Sequence, residues 1–199
     1  MESPATICTY WFGRQPDDLA VIAECSHRWW SKKTAVDLDI KQRFESVMSL
    51  AQERALDHWA SSPQGLLALI LLTDQFPRNV YRDTGKAFSF DPLARAWCEA
   101  GLQSGADLEL RPIERVFFYL PLEHSESLAD QERSVDLYEK LIAGLDGVHR
   151  AEFEGFLWFA KRHREIIQRF GRFPHRNEIL GRTSSPEELA FLKEKGSSF

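Results

Sequence analysis

Several things are scarce in this chain, and each scarcity excludes something. Cysteine is nearly absent: Cys8, Cys25 and Cys98 are widely scattered, with no CxxC spacing and no pairing framework. That excludes a disulfide scaffold and a thiolate metal knuckle, and points to a reducing compartment, the cytoplasm. No long apolar run exists. The longest, "LLALILL", is far short of a membrane span, and the opening "MESPATICTYWFGR" lacks the basic and apolar regions of a signal peptide. Excess positive charge is missing too: the formal net charge of −5 argues against a general nucleic-acid binder. Neither a G-x-S-x-G elbow nor a glycine-rich phosphate loop occurs, and no stretch of useful length alternates as a strand would.

What is present reads as helix. The 199 residues, 43% apolar and 28% charged, suit one globular domain over residues 1–199 with a real core. Ser62-Pro63, Asp91-Pro92 and Ser185-Pro186 each place a capping side chain before a proline at the first helical position. Ser185 with Glu188 completes a capping box, Ser127 with Asp130 makes a weaker one, and Pro16 and Pro112 mark two further starts. Between these marks the apolar period is helical. One stripe runs Ile40, Phe44, Val47, Met48, Ala51, Ala55, Trp59; another Leu128, Val135, Tyr138, Leu141, Ile142, Leu145; a third Phe153, Phe156, Leu157, Ala160, Ile167, Phe170. Residues 66–72 are apolar on all sides, as a central covered helix would be. The fold class expected is all-α, with about seven to nine helices. Trp11-Phe12 and Trp29-Trp30 are read as packing aromatics.

Against this frame, certain polar residues stand where a core should not want them. Asp74 follows the all-apolar segment, so burial and the helix dipole both oppose its charge, and it needs a partner. Arg78 and Asn79, past an expected helix break at Phe76-Pro77, are the near candidates; Arg172 and Arg176 are the distant ones. His163 lies ten residues after Phe153, on the same apolar arc at about 100° per residue. In "YLPLEHSE", Pro121 is expected to disturb or end a helix, leaving Glu123 and His124 at a corner. Neither H-E-x-x-H nor E-x-x-H spacing occurs, so no metal or other cofactor is expected. In "GRFPHRNEILGR", Gly171 reads as a helix C-cap and Gly181 as the end of a short helix holding His175, Arg176 and Asn177. Residues 161–182 carry seven Lys/Arg against two Glu, a locally positive end of an acidic protein.

Four blocks, "WFG" at 11–13, "LALILLTDQFPRNVYR" at 67–82, "FFYLPLEHSESLADQ" at 117–131 and "HREIIQRFGRFPHRNEILGRTSSPEE" at 163–188, span nearly the whole chain. On these the chain resembles the family catalogued as domain of unknown function 924. The resemblance implies an all-helical domain of helical hairpins packed like tetratricopeptide repeats in a right-handed superhelix; no repeat of that length is visible in the sequence itself. It implies a set of motif positions, Asp74, Gln75, Arg78, Asn79, Glu123, His124, His163, Arg172, His175, Arg176 and Asn177, and no established activity. Thr73 stands where an apolar residue would be more typical.

Three functions fit these residues. The first is a binding scaffold whose groove takes an anionic small molecule or peptide on Arg78, Asn79, Arg172, His175, Arg176 and Asn177. The second is a buried polar network that only fixes how helices meet. The third is a hydrolase-type enzyme, with His124, His163 or His175 as base, oriented by Glu123 or Asp74. Neither a nucleic acid nor a membrane is expected as partner. Convergence of Asp74, His124 and His175 on an open pocket would favour a site; full burial and mutual pairing would favour a network.

Overall fold

The computed structural model describes residues 2–198, and among them every regular element is helical. Ten α-helices occur: α1 (Pro4–Phe12), α2 (Asp18–Trp30), α3 (Thr34–Gln52), α4 (Pro63–Ile70), α5 (Phe76–Val80), α6 (Asp91–Ser104), α7 (Pro112–Glu123), α8 (Leu128–Ala143), α9 (Gly147–Phe170) and α10 (Pro186–Phe191). A π-turn, Leu71–Gln75, joins α4 to α5 without interruption, so these two form one rod. Short 3-10 turns fill several of the links. None of the described helices is long and apolar enough to cross a membrane.

The starts follow the capping residues. Ser62 accepts the Gly65 N–H at 3.1 Å, and Ser185 and Glu188 close a reciprocal box around the start of α10. Asp91 departs from this pattern. It is the first residue of α6, not its cap, because its carboxylate is taken by Arg78. The prolines depart as well. Pro77 sits inside the α4–α5 rod and Pro121 inside α7, and neither ends its helix.

The rod is the centre of the molecule. Leu67 through Leu72 are wholly covered, by α1, α6 and α7 among others. An aromatic group built from Trp11, Phe12, Trp29, Phe44, Phe76 and Phe117 locks α1, α2 and α3 onto it, mostly edge to face. Trp29 Nε1 donates to the Trp11 carbonyl at 2.9 Å, satisfying the one polar atom of a covered ring. Trp30 is 52% exposed, stacked over Phe117 at 5.7 Å. The α3 stripe closes at Ala51; Ala55 lies beyond the helix and is exposed. A second, smaller cluster, Ile166, Ile167, Phe173 and Phe191, ties the end of α9 to the C-terminal segment. Gly171 makes that turn possible with a φ of 68°, a left-handed conformation that costs a residue with a Cβ.

Candidate functional site

The site begins with a proline. Pro77 has no N–H to give, and in an α-helix its ring would strike the carbonyl four residues back. The rod widens here instead: the Phe76 N–H reaches back five residues to the Leu71 carbonyl. Thr73 Oγ1 donates to the Leu69 carbonyl at 2.6 Å, and Arg78 Nη1 donates to the Asp74 carbonyl at 2.7 Å, so two side chains reach the rod's own backbone around the wide turn. A hydroxyl at position 73 therefore has a backbone use.

The turn seats Asp74 with no solvent exposure. Its Oδ1 accepts from His124 Nδ1 at 2.8 Å and lies 3.3 Å from Arg78 Nη1; its Oδ2 accepts from Gln75 Nε2 at 2.5 Å. Burial alone would raise the Asp74 pKa, but Arg78, His124 and Gln75 together hold it below the ordinary carboxylate range. An ionised carboxylate can only accept, so the proton of neutral His124 is on Nδ1 and its Nε2 carries the lone pair. Burial, then Arg78, depress the His124 pKa, against the pull of Asp74.

Arg78 continues the chain outward with a two-pronged bond to Asp91, at 2.9 and 3.1 Å. Arg176 approaches the same carboxylate from the 3-10 turn Pro174–Arg176, but its Nη1 stops 3.7 Å from Asp91 Oδ2. Its guanidinium lies between the rings of Phe88 and Phe173, 4.6 and 4.4 Å from their centroids. Its Nε has no hydrogen-bond partner among the described residues. Burial, aided by Arg78, draws its pKa down to about 10.

His124 and Arg176 share a cleft of about 340 Å³, whose wall also includes Phe88, Asp91, Arg95 and Glu126. Three of these groups are already committed: Asp91 takes Arg78, Arg95 binds Asp130 at 3.1 Å, and Glu126 takes Arg182 at 2.7 and 3.0 Å.

Behind His124 the remaining polar residues are covered. The His163 ring lies 6.1 Å from the His124 ring. Its Nδ1 faces both the Phe159 carbonyl at 2.9 Å and Glu123 Oε1 at 3.0 Å. Burial raises Glu123 to about 8 and lowers His163 well below the usual histidine range, so the two meet as neutral groups and not as an ion pair. His175 packs against Phe173 at 5.7 Å, its pKa brought down to about 4 by burial and then by Arg176.

The motif residues therefore separate. Of these residues His124 and Arg176 line the cleft; Asp74, with no exposure, and Arg78 stand behind them, and Glu123, His163 and His175 are not in its wall, so Asp74, His124 and His175 do not converge on the opening. Three go elsewhere. Asn79 Nδ2 donates to Asp37 at 2.8 Å and pins α5 to α3. Arg172 grips Glu188 at 2.6 and 2.8 Å, and Asn177 donates to Ser184 at 3.0 Å, so both serve the C-terminal corner. Asp91, Phe88 and Glu126 belong to the site and were not anticipated. Asp91 had a competing use as a cap, and nothing in the sequence around Phe88 marks it. Glu126 stands in the same "LEHSE" block as His124, which was the one available signal.

Comparison with known proteins places the chain in a family. Residues 7–196 match the model of a family described as "Bacterial protein of unknown function (DUF924)". The chain belongs to this family. A solved structure, that of the protein of unknown function ATU0120 from Agrobacterium tumefaciens, is similar: 38% identity over 96% of each chain, with a TM-score of 0.80. No curated protein matches.

Proposed function

We propose that this protein is a binding protein whose cleft takes a small carboxylate, with Arg176 as its anchor. One observation carries the reading. Arg176 is 6% exposed, its Nε is without a partner among the described residues, and its nearest carboxylate oxygen is beyond hydrogen-bond distance at 3.7 Å. A buried cation left short of acceptors is costly, and a ligand carboxylate supplies them. The formal charges of Asp74, Arg78, Asp91 and Arg176 cancel, so the cleft suits a single negative charge better than a phosphate dianion. Titrating benzoate by calorimetry tests this. Binding should be measurable in the parent, absent in Arg176→Ala, and at least about tenfold tighter than for inorganic phosphate, a gap of about 1.4 kcal/mol. No binding by the parent, or equal binding by the variant, would defeat the reading.

The inner residues support a second, structural role for the rest of the polar set. Asp74 has no exposure and three side-chain partners, and Glu123 and His163 are covered and paired with one another. The array reading, one domain of successive hairpins in the tetratricopeptide manner, is supported by the packing of α7 on α8 and α8 on α9. Three free, buried cysteines fit a cytoplasmic protein.

A further inference from the structure

We propose that His124 is the general base of a hydrolytic site, its Nε2 activating water against the ester bond of a small substrate whose carboxylate rests on Arg176. This rests on the carboxylate reading above and adds a reaction to it.

The geometry separates the two nitrogens of His124. Nδ1 is committed to Asp74 at 2.8 Å, and that carboxylate is itself fixed by Arg78 and Gln75 and has no exposure to solvent. The ring therefore has one orientation and one tautomer. Nε2 is left with its lone pair on a residue that lines the cleft. A network that served only packing would have no use for an imidazole of fixed tautomer in a cleft wall. Arg176 stands in the same wall, so an anion held there brings the rest of a small molecule within the same cleft.

Water, not a serine, is the nucleophile that this arrangement offers. Ser125 and Ser89 both line the cleft, but the Ser125 hydroxyl donates to Asp130 Oδ2 at 2.6 Å and accepts from Arg95 at 3.2 Å, and the Ser89 hydroxyl donates to the Lys86 carbonyl at 2.8 Å. In the step, Nε2 takes a proton from water while the water oxygen bonds to the ester carbonyl carbon. The carbonyl electron pair moves onto its oxygen. Collapse of that tetrahedral intermediate breaks the C–O bond to the leaving group, which takes the proton back from the imidazolium. One ester and one water become one acid and one alcohol, with no change of oxidation state.

The groups around His124 also tune it. Asp74 raises its proton affinity, Arg78 lowers it, Asp91 raises it, and His163 and His175 lie close enough to interact with its charge. In the free protein the balance, with burial, falls below the ordinary histidine value. A carboxylate arriving on Arg176 adds a negative charge and moves it back up, toward the neutral range where a general base works best.

The test uses 4-acetoxybenzoate, with phenyl acetate as the neutral comparator. The parent should hydrolyse the anionic ester in a saturable way, with kcat/KM at least about tenfold above phenyl acetate. His124→Gln, whose amide can still donate to Asp74, should lower kcat about 100-fold or more while binding benzoate within about threefold of the parent. Arg176→Ala should raise KM and lose benzoate. The acid limb of kcat should lie at higher pH than that of kcat/KM, because only the former reports the liganded histidine. If His124→Gln does not fold, the two limbs of the parent decide alone: coincident limbs, or rates flat between about pH 5 and pH 8, overturn the proposal. Equal turnover by parent and His124→Gln, with benzoate still bound, overturns the base and leaves the binding site. Loss of benzoate binding by the parent overturns both.

Discussion

Asp74 and His124, fifty residues apart in the chain, meet side chain to side chain at 2.8 Å inside the protein. The carboxylate is fully covered, and its charge is met by a guanidinium on its own rod and an imidazole from the end of α7. Removing one member of a buried charged set strands the others. Asp74→Asn should cost on the order of 3 kcal/mol at about pH 7, measured by urea unfolding. The pH dependence follows from the sign of the shift. The folded pKa lies below the ordinary 3.8, so the stabilisation is present above that value and is lost as pH falls through the folded one. Parent and variant should converge as the solution is acidified. A difference that stays constant down to about pH 2 would mean that Asp74 is not the ionised partner described above.

Glu123 behaves in the opposite sense. Burial lifts its pKa from 4.5 to about 8, so its contribution is complete below 4.5 and is lost as pH rises through about 8. The unfolded chain ionises first, and folding must then take a proton back. Glu123→Gln keeps the shape and removes this liability. The variant should match the parent at about pH 4 and exceed its stability by about 4 kcal/mol at about pH 8. Equal stability at both ends of that range would show that burial does not lift the Glu123 carboxyl, and a less stable variant at about pH 8 would show an ionised Glu123 paired with a protonated His163.

Much of the architecture was legible because it rests on local rules. Ser62 and Ser185 cap where their sequence context says they should, and the stripes through Ile40–Ala51 and Val135–Ile142 are the buried faces of α3 and α8. The failures have one cause, which is tertiary packing overruling a local preference. Pro121 costs a helix about 3 kcal/mol, yet α7 is buried from Ile113 to Glu123 apart from Arg115, and that area outweighs the penalty. Pro77 does not break its rod because a π-turn absorbs it. Asp91 does not cap because Arg78 offers a stronger bond. The site was half legible for the same reason. Asp74, Arg78, His124 and Arg176 are conspicuous as polar residues among apolar ones. Their division from Asn79, Arg172 and Asn177 depends on contacts across 7 to 42 residues, which no local rule reads.

Gly101 offers a test of the scaffold that carries Asp91. In an exposed helix interior, glycine to alanine gains about 1 kcal/mol of propensity. Here a Cβ would stand 2.2 Å from Cζ of Phe118, a ring with no exposure and no room to swing aside. Overpacking of this kind costs about 1–3 kcal/mol. Gly101→Ala should therefore lower the thermal midpoint, and a rise would show that α6 can move away from α7.

Arg172 and Arg176 stand four residues apart, and their substitutions should separate cleanly. Arg176 faces the cleft between two rings, whereas Arg172 holds Glu188 in a two-pronged bond and also donates to the Thr183 carbonyl at 2.9 Å. Arg172, first among its neighbours, holds the Glu188 carboxyl down at about 2, so this contribution is present above 4.5 and is lost as pH falls toward 2. Arg172→Ala should loosen the C-terminal corner: amides of residues 183–191 should exchange faster at neutral pH, with little difference from the parent in strong acid. Benzoate affinity should not change, because no atom of Arg172 lines the cleft. Faster exchange with unaltered binding in Arg172→Ala, and lost binding with unaltered exchange at 183–191 in Arg176→Ala, would divide one arginine-rich stretch into a structural half and a ligand-binding half. Loss of binding in both variants would instead make the corner and the cleft a single cooperative unit.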